Sequence, residues 1–139
     1  MSNDQMTSYA ALLLRLGLGV MALAHGLLKV FVFTIPGTVG FFESIGYPGF
    51  FAYLVIAGEL LGGIALIAGV QVRLAALAMI PILIGATMTH AGNGWVFSSP
   101  NGGWEYPAFW TLTLVVQALL GGGAWQLPLP ILNGKTAKA

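Results

Sequence analysis

The sequence predicts an all-α integral membrane protein built as a four-helix bundle, and three observations predict it. Only 6% of the 139 residues are charged while 58% are hydrophobic. An ordinary soluble domain is about one-quarter charged, so this chain lacks the polar groups to cover a water-facing surface. The apolar residues fall in long runs, each close to the ~20 residues needed to cross a hydrocarbon core of about 30 Å. Short stretches rich in glycine, proline and serine separate the runs.

The first span is expected from about Tyr9 to Phe33. It follows "MSNDQMTSYA", which contains no Lys or Arg, and it is too long and too charged for the apolar core of a cleavable signal. It is therefore expected to remain in the mature protein. "TIPGTVGFFESIGYPG" leads to a second span, Phe50 to Val70, and "GVQVR" turns the chain into a third, Leu74 to His90. Pro81 is expected to kink that third helix, its freed carbonyl satisfied by neighbours. "AGNGWVFSSPNGGWEY" leads to the fourth, Pro107 to Gly123, with proline well placed at a helix start. Four such helices leave no room for a second domain, so 1–139 reads as one unit.

Four crossings put the N-terminus, the "GVQVR" turn and the C-terminal tail on one side, together with Arg73, Lys135 and Lys138. Positive loops stay in the cytoplasm, which predicts both termini inside. The two outer connections hold no Lys or Arg but many aromatics, namely Phe41, Phe42, Tyr47, Phe50, Phe51, Trp95, Phe97, Trp104 and Tyr106. An interfacial belt is the favoured reading, and a lid over a ligand is its rival. "GELLG" is a GxxxG pattern that lets a neighbouring backbone approach, either within the bundle or across a homodimer face. A net charge of +1 with no basic patch gives no reason to expect nucleic acid. The absence of cysteine excludes thiolate catalysis, disulfide exchange and iron–sulfur ligation by this chain.

"AHGLLKVF" then raises a question of cost, because it puts His25 and Lys29 inside a run suited to hydrocarbon. Successive helical residues advance about 100°, so Lys29 lies about 40° and Arg15 about 80° round from His25. A charged side chain near the bilayer centre costs at least ~2.5 kcal/mol, which turns this face toward the interior of a bundle. With 1.5 Å of rise per residue, His25 is about 12 Å and Glu59 about 14 Å from the outer boundary, while Arg15 is roughly 9 Å in from the opposite side. A polar column is expected, from Glu105, His90 and Lys29 at the outer mouth to His25 and Glu59 and on toward Arg15. Arg15 with Glu59 reads either as an ion pair fixing two helices or as part of a ligand site. Lys29 reads as snorkelling or as a ligand contact, and His25 alone as a hydrogen bond between helices.

A quinone headgroup needs donors to its carbonyl oxygens and an ionisable residue to relay protons, and His25, Arg15, Lys29 and Glu59 supply both. His25, His90, Glu59 and Glu105 are metal-ligand types, but no HxxxH-like spacing supports a metal. A bis-histidine haem is disfavoured because the two histidines are offset in depth. Neither a metal nor a covalent cofactor is expected. Ser98 and Ser99 have no His and Asp companions for nucleophilic hydrolysis.

The succession "LLLRLGLGVMALAHGLLKVF", "GTVGFFESIGYP", "GELLGGIALIAGVQVRLAAL", "HAGNGWVF" and "GGWEYP" resembles the DoxX family of small four-span bacterial membrane proteins, from about Leu12 to Pro107. The resemblance implies a membrane four-helix bundle associated with redox pathways, with relatives that include a quinone-reducing subunit of thiosulfate oxidation. The family's recurrent polar positions match Arg15, His25, Gly26, Lys29, Glu59, Arg73, His90, Asn93, Gly94, Glu105 and Tyr106. The leading expectation is a redox-linked inner-membrane protein binding a quinone or similar small hydrophobic ligand in the outer half. His25 and Glu59 would relay protons as the catalytic pair, Arg15 would orient Glu59, and Lys29, His90, Asn93, Glu105 and Tyr106 would line the mouth. Catalysis would require an electron-donating redox partner protein, since no redox centre can be read from the chain. The rivals are a non-catalytic membrane subunit and a small-solute conduit, and a homo-oligomer is compatible with all three.

Overall fold

The computed structural model describes residues 1–129, which are all-helical without strands among the described residues. Lys135 and Lys138, part of the charge bias above, lie outside them. Helix α1 (Asn3–Phe31) starts in a capping box: the Ser2 hydroxyl accepts from the Gln5 amide at 3.2 Å while the Gln5 side chain accepts from the Ser2 amide at 2.9 Å. Helix α2 (Ile35–Ser44) occupies the first outer connection, where the sequence predicts only turns. Thr34 caps it and Pro36 sits in its first turn, a start signal masked by the neighbouring glycines.

Helix α3 (Phe50–Ala68) stops at Gly69, whose φ of +75° is a left-handed conformation that glycine adopts without strain. Helix α4 (Val72–His90) runs through Pro81 without interruption and passes into a short 3-10 turn, Ala91–Asn93. Helix α5 (Glu105–Leu120) begins two residues before Pro107 and ends at Gly121. Three helices, α1, α3 and α4 extended through the 3-10 turn to Asn93, are long and apolar enough to cross a membrane. At 16 residues α5 is shorter than these.

Helix α1 packs on α3, α3 on α4, α4 on α5, and α5 back on α1, while α2 lies against α3 and α1. The enclosed core is Leu18, Ala22, Leu66, Val72, Ala75, Ala76, Met79, Leu83, Trp110 and Leu114. The outward faces are also apolar, with Leu13, Val20, Leu61, Leu74, Phe109 and Leu119 all well exposed. A chain apolar both inside and outside is solvated by lipid rather than water, and this is a multi-pass membrane protein.

Glycine sets the helix spacing. A Cβ on Gly63 would lie 2.8 Å from the Leu23 amide nitrogen and 2.9 Å from the Gly19 carbonyl oxygen, so the α1 and α3 backbones touch there. A Cβ on Gly62 would lie 2.6 Å from Met79 Sδ, and Gly58 meets Ile82. The GxxxG face is thus filled by α4 of the same chain. Gly63→Ala is expected to cost about 1–3 kcal/mol, because backbone cannot yield as a side chain can. A melting curve within about 0.5 kcal/mol of the parent would show that the two helices can separate freely.

Candidate functional site

The expected polar residues divide into three groups, of which one has the features of a site. At the end carrying α2 and the 94–104 loop, Lys29 Nζ donates to both oxygens of Glu59, at 2.9 and 2.8 Å. The Glu59 side chain is 6% exposed and that of Lys29 18%, so the pair is held away from solvent. Gly26 makes it reachable: a Cβ there would lie 3.3 Å from Glu59 Cβ, so α3 presents its carboxylate against α1 beside Lys29. Thr38, buried on α2, fastens this end by donating to the Thr34 carbonyl at 2.8 Å and lying 3.2 Å from the Lys29 carbonyl.

One turn before Lys29, the half-buried His25 ring packs against two aromatic rings of α5. It stacks on Tyr106 at 6.2 Å between centroids with 28° between planes, and meets Trp110 edge-on at 5.0 Å. Tyr106 and Trp110 touch each other at 5.8 Å, as residues four apart on one helix do. No hydrogen bond reaches the His25 ring nitrogens among the described residues. Trp110 is 3% exposed, and its buried Nε1 also has no hydrogen-bond partner among them. An unpaired buried donor costs about 1–3 kcal/mol, and a histidine without partners lies next to it.

Arg15 corrects the expectation that it orients Glu59. It is 1% exposed and lies at the other end of the helices, where its donors reach five backbone carbonyls. Nε bonds Gly122 at 2.8 Å, Nη1 bonds Leu66 at 2.9 Å and Ile67 at 2.7 Å, and Nη2 bonds Ala124 at 2.9 Å and Trp125 at 2.8 Å. Leu66 and Ile67 belong to the last turn of α3, where a cation is favoured by the helix dipole. Glu59 lies two turns back along α3, roughly 10 Å away by helical rise, so Lys29 takes it instead.

The third group holds its own loop. His90 Nδ1 donates to the Ala86 carbonyl at 2.7 Å, and the Asn93 amide donates to the carbonyls of Asn101 at 3.2 Å and Gly102 at 3.0 Å. Glu105 accepts from the Phe97 amide at 3.1 Å. These three build the 94–104 loop over the helix ends. The expected column is therefore broken: His25, Tyr106, Lys29 and Glu59 gather at one end, while His90, Asn93 and Glu105 shape the loop and Arg15 stands apart.

Two residues escaped the sequence reading. Trp110 follows Tyr106 by four positions, the helical spacing that puts both on the His25 side. Gln117, fully buried, donates to the carbonyls of Ala11 at 3.2 Å and Gly121 at 2.8 Å. A lone amide seven residues after Trp110 in an apolar run marks the same inward face.

Beside the loop, Phe97, Trp104, Glu105, Tyr106, Ala108, Phe109 and Leu112 line an open groove of about 610 Å³ on the outside of α5. Among the described residues no cluster of three or more His, Asp or Glu could hold a metal ion.

Residues 10–92 match the model of the DoxX family. A Bacillus subtilis (strain 168) protein described as "Putative oxidoreductase CatD" is 41% identical over 78 residues, which is 56% of this chain and 57% of that relative. The chain thus spans a little over half the length of the curated relative it matches. No solved structure matches.

Proposed function

Since the chain belongs to the DoxX family, we propose that it is a redox-associated protein of the bacterial cytoplasmic (inner) membrane that binds a quinone or similar small hydrophobic ligand at the loop end. In this reading the four long helices form one bundle domain surrounded by lipid, with both termini in the cytoplasm. The single observation that carries it is the set of open valences around His25: among the described residues its imidazole nitrogens have no hydrogen bond, and it is flanked by Tyr106 and by a buried Trp110 whose Nε1 has no partner among them. Quinone oxygens are acceptors, and a flat ring suits an aromatic wall, so the residues fit the group. Bound there, a quinone takes up electrons and protons together.

Trp110 Nε1 and His25 serve as donors that orient the ligand. His25 exchanges a proton with it, and the Lys29–Glu59 pair one turn away holds α1 against α3 beside the ligand. Electrons come from a redox partner protein, since no redox centre can be read from this chain, and the name of the Bacillus relative supports a redox association for the chain itself.

The bidentate ion pair favours a second reading, a non-catalytic subunit in which Lys29 and Glu59 only lock α1 to α3. A conduit is disfavoured by the apolar core of Leu18, Leu66 and Leu114 between the site and Arg15.

Titration of the purified protein in lipid nanodiscs with a short-chain ubiquinone or menaquinone analogue, read by tryptophan quenching, tests the proposal. His25→Ala is expected to weaken binding at least about tenfold, the loss of one hydrogen bond, with little change in melting temperature. Equal binding by the variant would reject the site. Equal loss of binding and stability in Glu59→Gln would favour the scaffold reading.

A further inference from the structure

The groove on the outer side of α5 has a composition that the quinone reading does not use. Four of its lining residues are aromatic, Phe97, Trp104, Tyr106 and Phe109, and the one charged residue is Glu105. One oxygen of that carboxylate accepts from the Phe97 amide, and Glu105 has no cationic partner among the described residues. A carboxylate in the lining of an otherwise apolar groove, together with four aromatic side chains and without a cationic partner among the described residues, is complementary to an organic cation. Aromatic faces attract quaternary ammonium groups through the ring quadrupole, and a carboxylate adds a full opposite charge. Below Glu105 the wall continues through Ala108, Phe109 and Leu112, about 10 Å of apolar surface along the helix.

We propose that this groove binds a lipophilic organic cation, a quaternary ammonium head seated among Phe97, Trp104, Phe109 and Glu105 with its alkyl chain lying along α5 toward Leu112. A phosphatidylcholine headgroup carries the same ammonium but fits worse. Its attached phosphate would have to lie near Glu105, and the lining offers no Lys, Arg or His to pair with it. The cation therefore comes as a single-chain amphiphile dissolved in the bilayer. Tyr106 borders both this groove and His25, and the residues that would hold the ammonium head, Phe97, Trp104, Phe109 and Glu105, are not among those around His25.

The test uses the full chain in phosphatidylglycerol nanodiscs, titrated below micellar concentration with dodecyltrimethylammonium or with its neutral carbon isostere ending in a tert-butyl group. Tryptophan emission is followed, with empty discs subtracted. The parent is expected to bind the cation at least about tenfold more tightly than the isostere. Glu105→Gln keeps an oxygen for the Phe97 amide and is expected to abolish that preference. Trp104→Leu is expected to weaken the cation while sparing the isostere, so the result does not depend on one variant folding. In phosphatidylcholine discs the parent should retain its preference. A preference that survives Glu105→Gln, or one that disappears in phosphatidylcholine discs because the lipid headgroup is the occupant, would overturn the proposal. No quinone is used, so failure here leaves the His25 reading standing.

Discussion

Arg15→Leu is expected to unfold about 3–5 kcal/mol more easily than the parent. Five carbonyls lose their donor at once, and they lie on two separate segments, the end of α3 and the stretch from Gly122 to Trp125. That stretch is also held by the Ala124 amide on the Ser8 carbonyl at 3.1 Å and by Trp125 edge-on to Tyr9, and just beyond it Leu127 bonds the Ala68 carbonyl at 3.0 Å. Limited proteolysis should therefore cut near Gly122–Trp125 in the variant before the helices melt. Arg15→Lys should recover only part of the loss, because one ammonium cannot span the forked arrangement. A melting curve for Arg15→Leu within about 1 kcal/mol of the parent would mean that the carbonyls find other donors, and that the guanidinium is not the clasp described above.

Lys29→Met is the second large effect, with an expected loss of about 3–5 kcal/mol. The cost arises because Glu59, 6% exposed, is left without its cation rather than because the ion pair itself is strong. The double variant Lys29→Met, Glu59→Leu should recover most of the stability, since two apolar groups of similar size replace two desolvated charges. Thermal unfolding in one detergent gives all three values. If the single and double variants lose the same amount, the pair contributes net attraction and the desolvation argument fails. The same double variant should separate folding from function, being stable yet impaired in quinone binding if the pair contributes to the site, and stable with unchanged binding if it only joins the helices.

Much of the fold was legible because membrane spans are selected by a bulk property. Nineteen residues from Phe50 to Ala68 with a single charge among them announce a span whatever their order, and glycine marks its end at Gly69. Helix α2 was less legible because ten residues that include two glycines carry too little periodic signal, and its stability comes from Thr38 and from packing on α3. Helical phase correctly put His25 and Lys29 on one face turned toward other helices. It could not choose between Lys29 and Arg15 as the partner of Glu59, because phase within one helix says nothing of the axial offset between two.

By itself, then, the sequence determined an all-helical membrane protein, the approximate extent of its spans and the inward turn of its basic residues. The cost of exposing charge or unpaired backbone to hydrocarbon depends on composition and period alone. Only the tertiary structure decided that Arg15 clasps carbonyls, that Lys29 meets Glu59 and that His25 packs against Tyr106 and Trp110. Each of those contacts depends on how far one helix slides along another, and between α1 and α3 that position is set by backbone contact at Gly19 and Gly63.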